Sequence, residues 1–130
     1  MKGLVIPTSF DDKPYIIELG KDSLQTYYKT IGCRIIDIVT LGYDKTGLAI
    51  DAVIDDEGLI NHSPVNERFF FAYLAQLICS PLFGTVVIVM TNENTGNTTK
   101  LNLAKVKNLL VSNFRFMESD FPEENTNENV

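Results

Sequence analysis

An α+β fold follows from three observations on this sequence. Short β-branched runs recur at "KGLVIP", "YIIELG", "CRIIDIVTLG" and "LAIDAVID". Stretches with helical spacing of apolar residues interrupt them. One run, "GTVVIVMT", is apolar without a break, as expected of a strand central in its sheet. The predicted order is β-β-α-β-β-α-β plus a C-terminal helix, with five strands in one mixed sheet and the helices on one face. A chain of 130 residues, 45% hydrophobic, suits one domain with a real core.

Each element has a local reason. "KGLVIP" stops at Pro7, "SFDDKP" turns the chain, and "YIIELG" completes a hairpin. In "DSLQTYYKTIG", Asp22 caps a helix and Gln25 stands three residues on. Leu24, Tyr27, Tyr28 and Ile31 mark its buried face, and Gly32 suits the left-handed C-terminal position. "CRIIDIVTLG" and "LAIDAVID" are strands joined through "YDKTG". "DEGL" is a further turn, and "NERFFFAYLAQLIC", apolar nearly all round, reads as a buried helix ending before Pro81. "NENTGNTT" reads as a flexible loop. Leu103, Val106, Leu110 and Phe114 form the stripe of the last helix.

The net charge of −6 is unevenly distributed. Residues 118–130 hold five acids and no base, and without them 12 acids face 11 basic residues. The expected organisation is therefore one α+β domain over 1–117 and an acidic, disordered tail over 118–130, dispensable for folding. A nucleic-acid face built on Lys100, Lys105, Lys107 and Arg115 is disfavoured by this balance. No run approaches the roughly 18 apolar residues of a membrane span, and "MKGLVIPTSFDD" does not read as a signal peptide. A cytoplasmic protein is expected, with Cys33 and Cys79 as reduced, buried thiols.

Chemical motifs are sparse. "DKTG" at 44–47 matches the phosphorylated-aspartate motif of P-type ion pumps, but the rest of that machinery is missing, and a hairpin loop explains it. Leu48 and Ala49 follow Gly47 where a phosphate-binding loop needs Lys and Ser or Thr. Read as a calcium loop, "DDEG" would place Pro64 where a bidentate Glu is required. The one histidine, His62, stands in "LINHSP", a polar loop. No catalytic residue, metal site or cofactor is assigned. The candidate ligand-binding residues are Asn66, Glu57, Asp56 and His62. Asn66 is also the expected N-cap of the following helix, its oxygen accepting from Arg68 or Phe69, with Glu67 in the first turn and a Val65–Phe70 staple.

The segments "KGLVIPT", "YIIELG", "IDDEGLINHSPVNERF" and "FGTVVIVM" occur in the order of a small phage and prophage family, the domain of unknown function DUF3846, which the chain resembles over roughly residues 2–92. Glu57-Gly58 followed by Pro64-Val65-Asn66 is the most specific part. The resemblance implies a mobile-element protein in a bacterial cytoplasm and no established reaction. The expected function is a non-enzymatic binding or regulatory protein acting on a host protein or a small ligand. The alternative is a small metal-dependent hydrolase or nucleotide-processing enzyme using the 55–66 loop. No membrane partner is expected, and a homodimer stays open.

Overall fold

The computed structural model describes residues 1–122. Its elements in chain order are β1 (Lys2–Ile6), β2 (Tyr15–Glu18), α1 (Ser23–Ile31), β3 (Ile36–Tyr43), β4 (Ala49–Asp55), α2 (Glu67–Leu74), β5 (Val86–Asn92), β6 (Asn97–Thr98) and α3 (Leu103–Phe114). A 3₁₀ turn over Glu118–Asp120 follows. The α+β class and the order of the main elements are those the sequence predicts.

The strands lie in the order β2-β1-β5-β4-β3, with β6 paired to β5. Every pairing is antiparallel, so the sheet is not mixed. The reason is positional. β2 and β3 run in the same direction, but they occupy opposite edges and never meet. β6 replaces the expected loop: Asn92 and Asn97 pair across a tight turn that ends at Gly96.

β5 is central, and its alternation builds two cores. Val86, Ile88 and Met90 join Leu4, Ile6, Ile50 and Ala52 beneath Phe69 of α2 and the Leu103–Val106–Leu110–Phe114 stripe of α3. Val87 and Val89 point the other way, toward Val5, Val53, Leu19 and Tyr27 of α1. The helices therefore cover both faces, not one. A strand apolar at every position needs two apolar layers, and α1 supplies the second.

The start and stop signals of α1 are those expected. Asp22 accepts from the Gln25 backbone N–H at 3.2 Å, and Gly32 takes φ 77°. Its buried face is narrower than predicted, since Tyr27 is buried while Leu24 is 43% exposed. α2 is shorter than predicted and half exposed. It leaves helical geometry at Ala75, Gln76 takes φ 63°, and Phe71 and Leu74 face outward. The helix lies on the rim of the first core, so Phe69 and Ala72 are its buried members there, while Phe71 meets only the Phe10 ring edge-on. Cys33 is half-buried and Cys79 exposed, against the expectation that both are buried.

Of the residues assigned to the tail, 118–122 are described. Residues 118–122 continue onto the domain: Asp120 is buried, and Phe121 packs on the first core. The remaining residues assigned to the tail, 123–130, lie outside those described.

Candidate functional site

The 55–66 loop does not gather its four candidate residues. Asp55 is the acid that folds it: one carboxylate oxygen accepts the Glu57 backbone N–H at 2.8 Å and the other accepts Asn61 Nδ2 at 3.3 Å. Asp56 points to solvent, with its backbone N–H donating to the Ile35 carbonyl. Glu57 reaches across to Arg34 in a two-pronged ion pair, Nε to Oε1 at 2.7 Å and Nη2 to Oε2 at 3.1 Å. That guanidinium holds the Glu57 carboxyl below its usual range. His62 is exposed at φ 56°, shaping the turn. Among the described residues no group of three or more His, Cys, Asp or Glu could hold a metal ion.

Asn66 is fully buried and works differently from an N-cap. Its backbone carbonyl accepts from Phe70, but its side chain makes no cap bond. Instead Nδ2 donates to the carbonyls of Ile6 at 3.0 Å, Gly84 at 3.0 Å and Pro7 at 3.3 Å. The Ile6 and Gly84 carbonyls are buried at strand ends, and meeting them outweighs a helix N–H left to other partners near the surface, although the Oδ1 of Asn66 is itself buried without a partner. Gly84, at φ 84°, permits the left-handed backbone that its place in this clamp uses. The backbone adds two further ties, Asn66 N–H to the Leu82 carbonyl and Gly84 N–H to the Pro64 carbonyl, each 2.7 Å.

Arg68, two residues on, is buried as well. Nη1 and Nη2 donate to the carbonyls of Ser9 and Phe10 at 3.2 and 3.1 Å, and the guanidinium lies 5.0 Å from the centroid of the Phe10 ring. Nε stands 3.2 Å from Asp120 Oδ1. That is a contact between charges but not a hydrogen bond, because the N–H misses the oxygen. The sequence reading passed over this residue. The available signal was an arginine inside the apolar run "NERFFFAYL", where a charge needs a partner.

A groove of about 540 Å³ runs between the β3–β4 hairpin and α3. A register shift between Thr40 and Gly42 bends β3, and Gly42 lies so close to Leu109 that a Cβ there would sit 3.0 Å from its Cδ1. Ile50 and Leu109 give the groove apolar surface, and Tyr43, Asn108, Ser112 and Asn113 give it polar groups. At its end Asp44 accepts from Lys105 Nζ at 2.9 Å, Thr46 Oγ1 at 2.7 Å and the Thr46 and Leu48 backbone N–H groups, each at 2.9 Å. Burial alone would raise the Asp44 carboxyl, but these bonds outweigh it and hold the group far below the carboxylate range. The aspartate of "DKTG" is therefore a committed hairpin residue. Lys105, bound to it, is also drawn away from the lysine cluster considered for nucleic acid.

Fold and clusters together define a small antiparallel-sheet α+β domain whose buried charges are committed to structure. The chain belongs to the family described as Domain of unknown function (DUF3846), whose model matches residues 1–113. No curated protein and no solved structure matches the chain. Among the described residues no helix is long and apolar enough to cross a membrane.

Proposed function

We propose that this is a non-enzymatic binding or regulatory protein of a phage or mobile element, acting in the host cytoplasm and holding a small ligand in the groove beside α3. The observation that carries this reading is the composition of that groove: Ile50 and Leu109 offer apolar contact, while Asn108, Ser112 and Asn113 offer both donors and acceptors. Its 540 Å³ suits a molecule of nucleoside size. Asp44 and Lys105 at its end neutralise one another and Lys45 is exposed at the rim, so a planar molecule with several hydrogen-bonding groups that needs no buried counter-charge fits best. The hydrolase alternative draws no support from the loop, because Glu57 is held by Arg34 while Asp56 and His62 point to solvent.

A thermal-shift screen with neutral nucleosides and heterocycles tests the reading. A ligand at 100 times its Kd stabilises the folded chain by about 2.7 kcal/mol. That shift should disappear in Asn108→Ala and Ser112→Ala. A screen without any shift, or a shift indifferent to both substitutions, sinks the proposal.

A further inference from the structure

The groove beside α3 carries its polar groups in a row. Lys105, Asn108 and Ser112 follow one another at spacings of three and four residues on α3, and all three line the groove, so they share one face of the helix. At 1.5 Å of rise per residue the row is about 10 Å long, the length of a nucleoside. It is rich in donors. Asp44 Oδ2 accepts one N–H of Lys105 at 2.9 Å, and the ammonium carries two more. The Asp44 side chain is 3% exposed and that of Lys105 40%, so the remaining N–H groups stand on the open side of the pair. Ser112 Oγ donates to Asn108 Oδ1 at 3.4 Å, which occupies the oxygen of that amide and leaves Nδ2 as its free end. The acceptors are spent: the Asp44 oxygens take Lys105, Thr46 Oγ1 and the Thr46 and Leu48 backbone N–H groups.

The charge state of the pair decides what these donors can hold. An ammonium against a buried carboxylate is already neutralised, so an anion gains little from it and meets the Asp44 charge at close range. A neutral oxygen acceptor gains the hydrogen bond without that repulsion. The ion pair also fixes Nζ before a ligand arrives, so little further ordering of the lysine is needed.

We infer that the groove takes an oxo-heterocycle, a planar ring carrying carbonyl oxygens such as uracil or a 6-oxopurine, and that Lys105 is the residue that selects it; this rests on the groove being a ligand site. One ring carbonyl accepts from Lys105 Nζ, a pairing that suits a 6-oxopurine well. A second acceptor on the ligand takes Asn108 Nδ2, and Ile50 and Leu109 meet its apolar surface. An amino group in place of the carbonyl sets N–H against N–H with no acceptor between them, so the amino analogue is rejected.

The test is titration calorimetry on the full chain with two matched pairs, inosine against adenosine and uridine against cytidine, each exchanging a carbonyl for an amino group. The oxo member of at least one pair should bind about 10-fold more tightly than its partner, a difference that converts to about 1.4 kcal/mol. Lys105→Met should abolish the preference by weakening the oxo member to the level of the amino one. A merely structural loss would weaken both members alike, so the ratio within a pair is the readout. If Lys105→Met does not fold because Asp44 is left buried and unpaired, Asp44→Asn combined with Lys105→Met removes both charges and gives the same readout. Equal binding within both pairs, or tighter binding of the amino members, overturns the inference and leaves the groove standing as a ligand site. An oxo preference that survives the loss of Lys105 overturns it too. Displacement of the bound nucleoside by inorganic phosphate would make the ammonium an anion site, with the same consequence. Absence of binding by all four nucleosides removes this inference together with the groove reading beneath it.

Discussion

Asn66 and Asn102 stand at the same place on two helices and do opposite things. Asn102, on the exposed side of α3, accepts the Lys105 backbone N–H at 3.2 Å, as a capping residue should. Asn66, wholly buried before α2, caps nothing with its side chain and clamps three carbonyls. The local rule holds where water satisfies everything else. Where water is excluded, the carbonyls at the end of β1 and before β5 take the amide N–H groups of Asn66, and its Oδ1 is left buried without a partner.

The contrast is broken most directly at Asn66. Asn66→Asp should be strongly destabilising, by about 4 kcal/mol, because it replaces the donor with a buried charge facing carbonyls. An ordinary cap would tolerate it, so a near-neutral result in urea denaturation returns Asn66 to the capping role. Next comes the buried Arg68–Asp120 pair. Asp120→Ala leaves Arg68 uncompensated and should cost about 3 kcal/mol. Ending the chain at Met117 should cost at least as much, since the packing of Phe121 goes too, and an unchanged melting temperature would restore the dispensable tail that composition suggests. Asn102→Ala should cost about 1 kcal/mol, with Asn102→Asp near neutral, by the same denaturation assay. Equal responses at the two asparagines would erase the distinction between them.

The smallest effect belongs to the exposed Arg34–Glu57 pair, which solvent screens. Its sign is still fixed. Arg34 depresses the Glu57 carboxyl in the folded chain, so the pair's contribution is present above the unfolded value near 4.3. It is lost as pH falls through the lower folded value. Glu57→Gln should therefore lower stability slightly at neutral pH and flatten that stretch of the acid titration. A variant whose pH profile overlays the parent's would show that the pair contributes nothing.

Much of the fold was legible because its signals are local. Asp22 and Gly32 delimit α1 through bonds within a few residues, and the α3 stripe is buried as its spacing requires. The continuous apolar run of β5 correctly marked the centre of the sheet. The site was less legible. Of the acids at 55–57, the sequence favoured Asp56 and Glu57, yet burial and loop bonds fall to Asp55. The Arg68–Asp120 and Asp44–Lys105 pairs join residues 52 and 61 positions apart, and no periodicity reports such partners.

The sequence by itself determined the five main strands and the existence of three helices, where α1 begins and ends, and the centrality of β5, because turn chemistry, capping and apolar spacing act within one or two turns of chain. Only the tertiary structure decided that the sheet is wholly antiparallel and covered on both faces, that Asn66 donates rather than caps, and that Asp120 docks on Arg68. Those outcomes depend on which polar groups lose water together when distant segments meet, and the free energy of several buried carbonyls or a buried charge left without partners outweighs a single local cap.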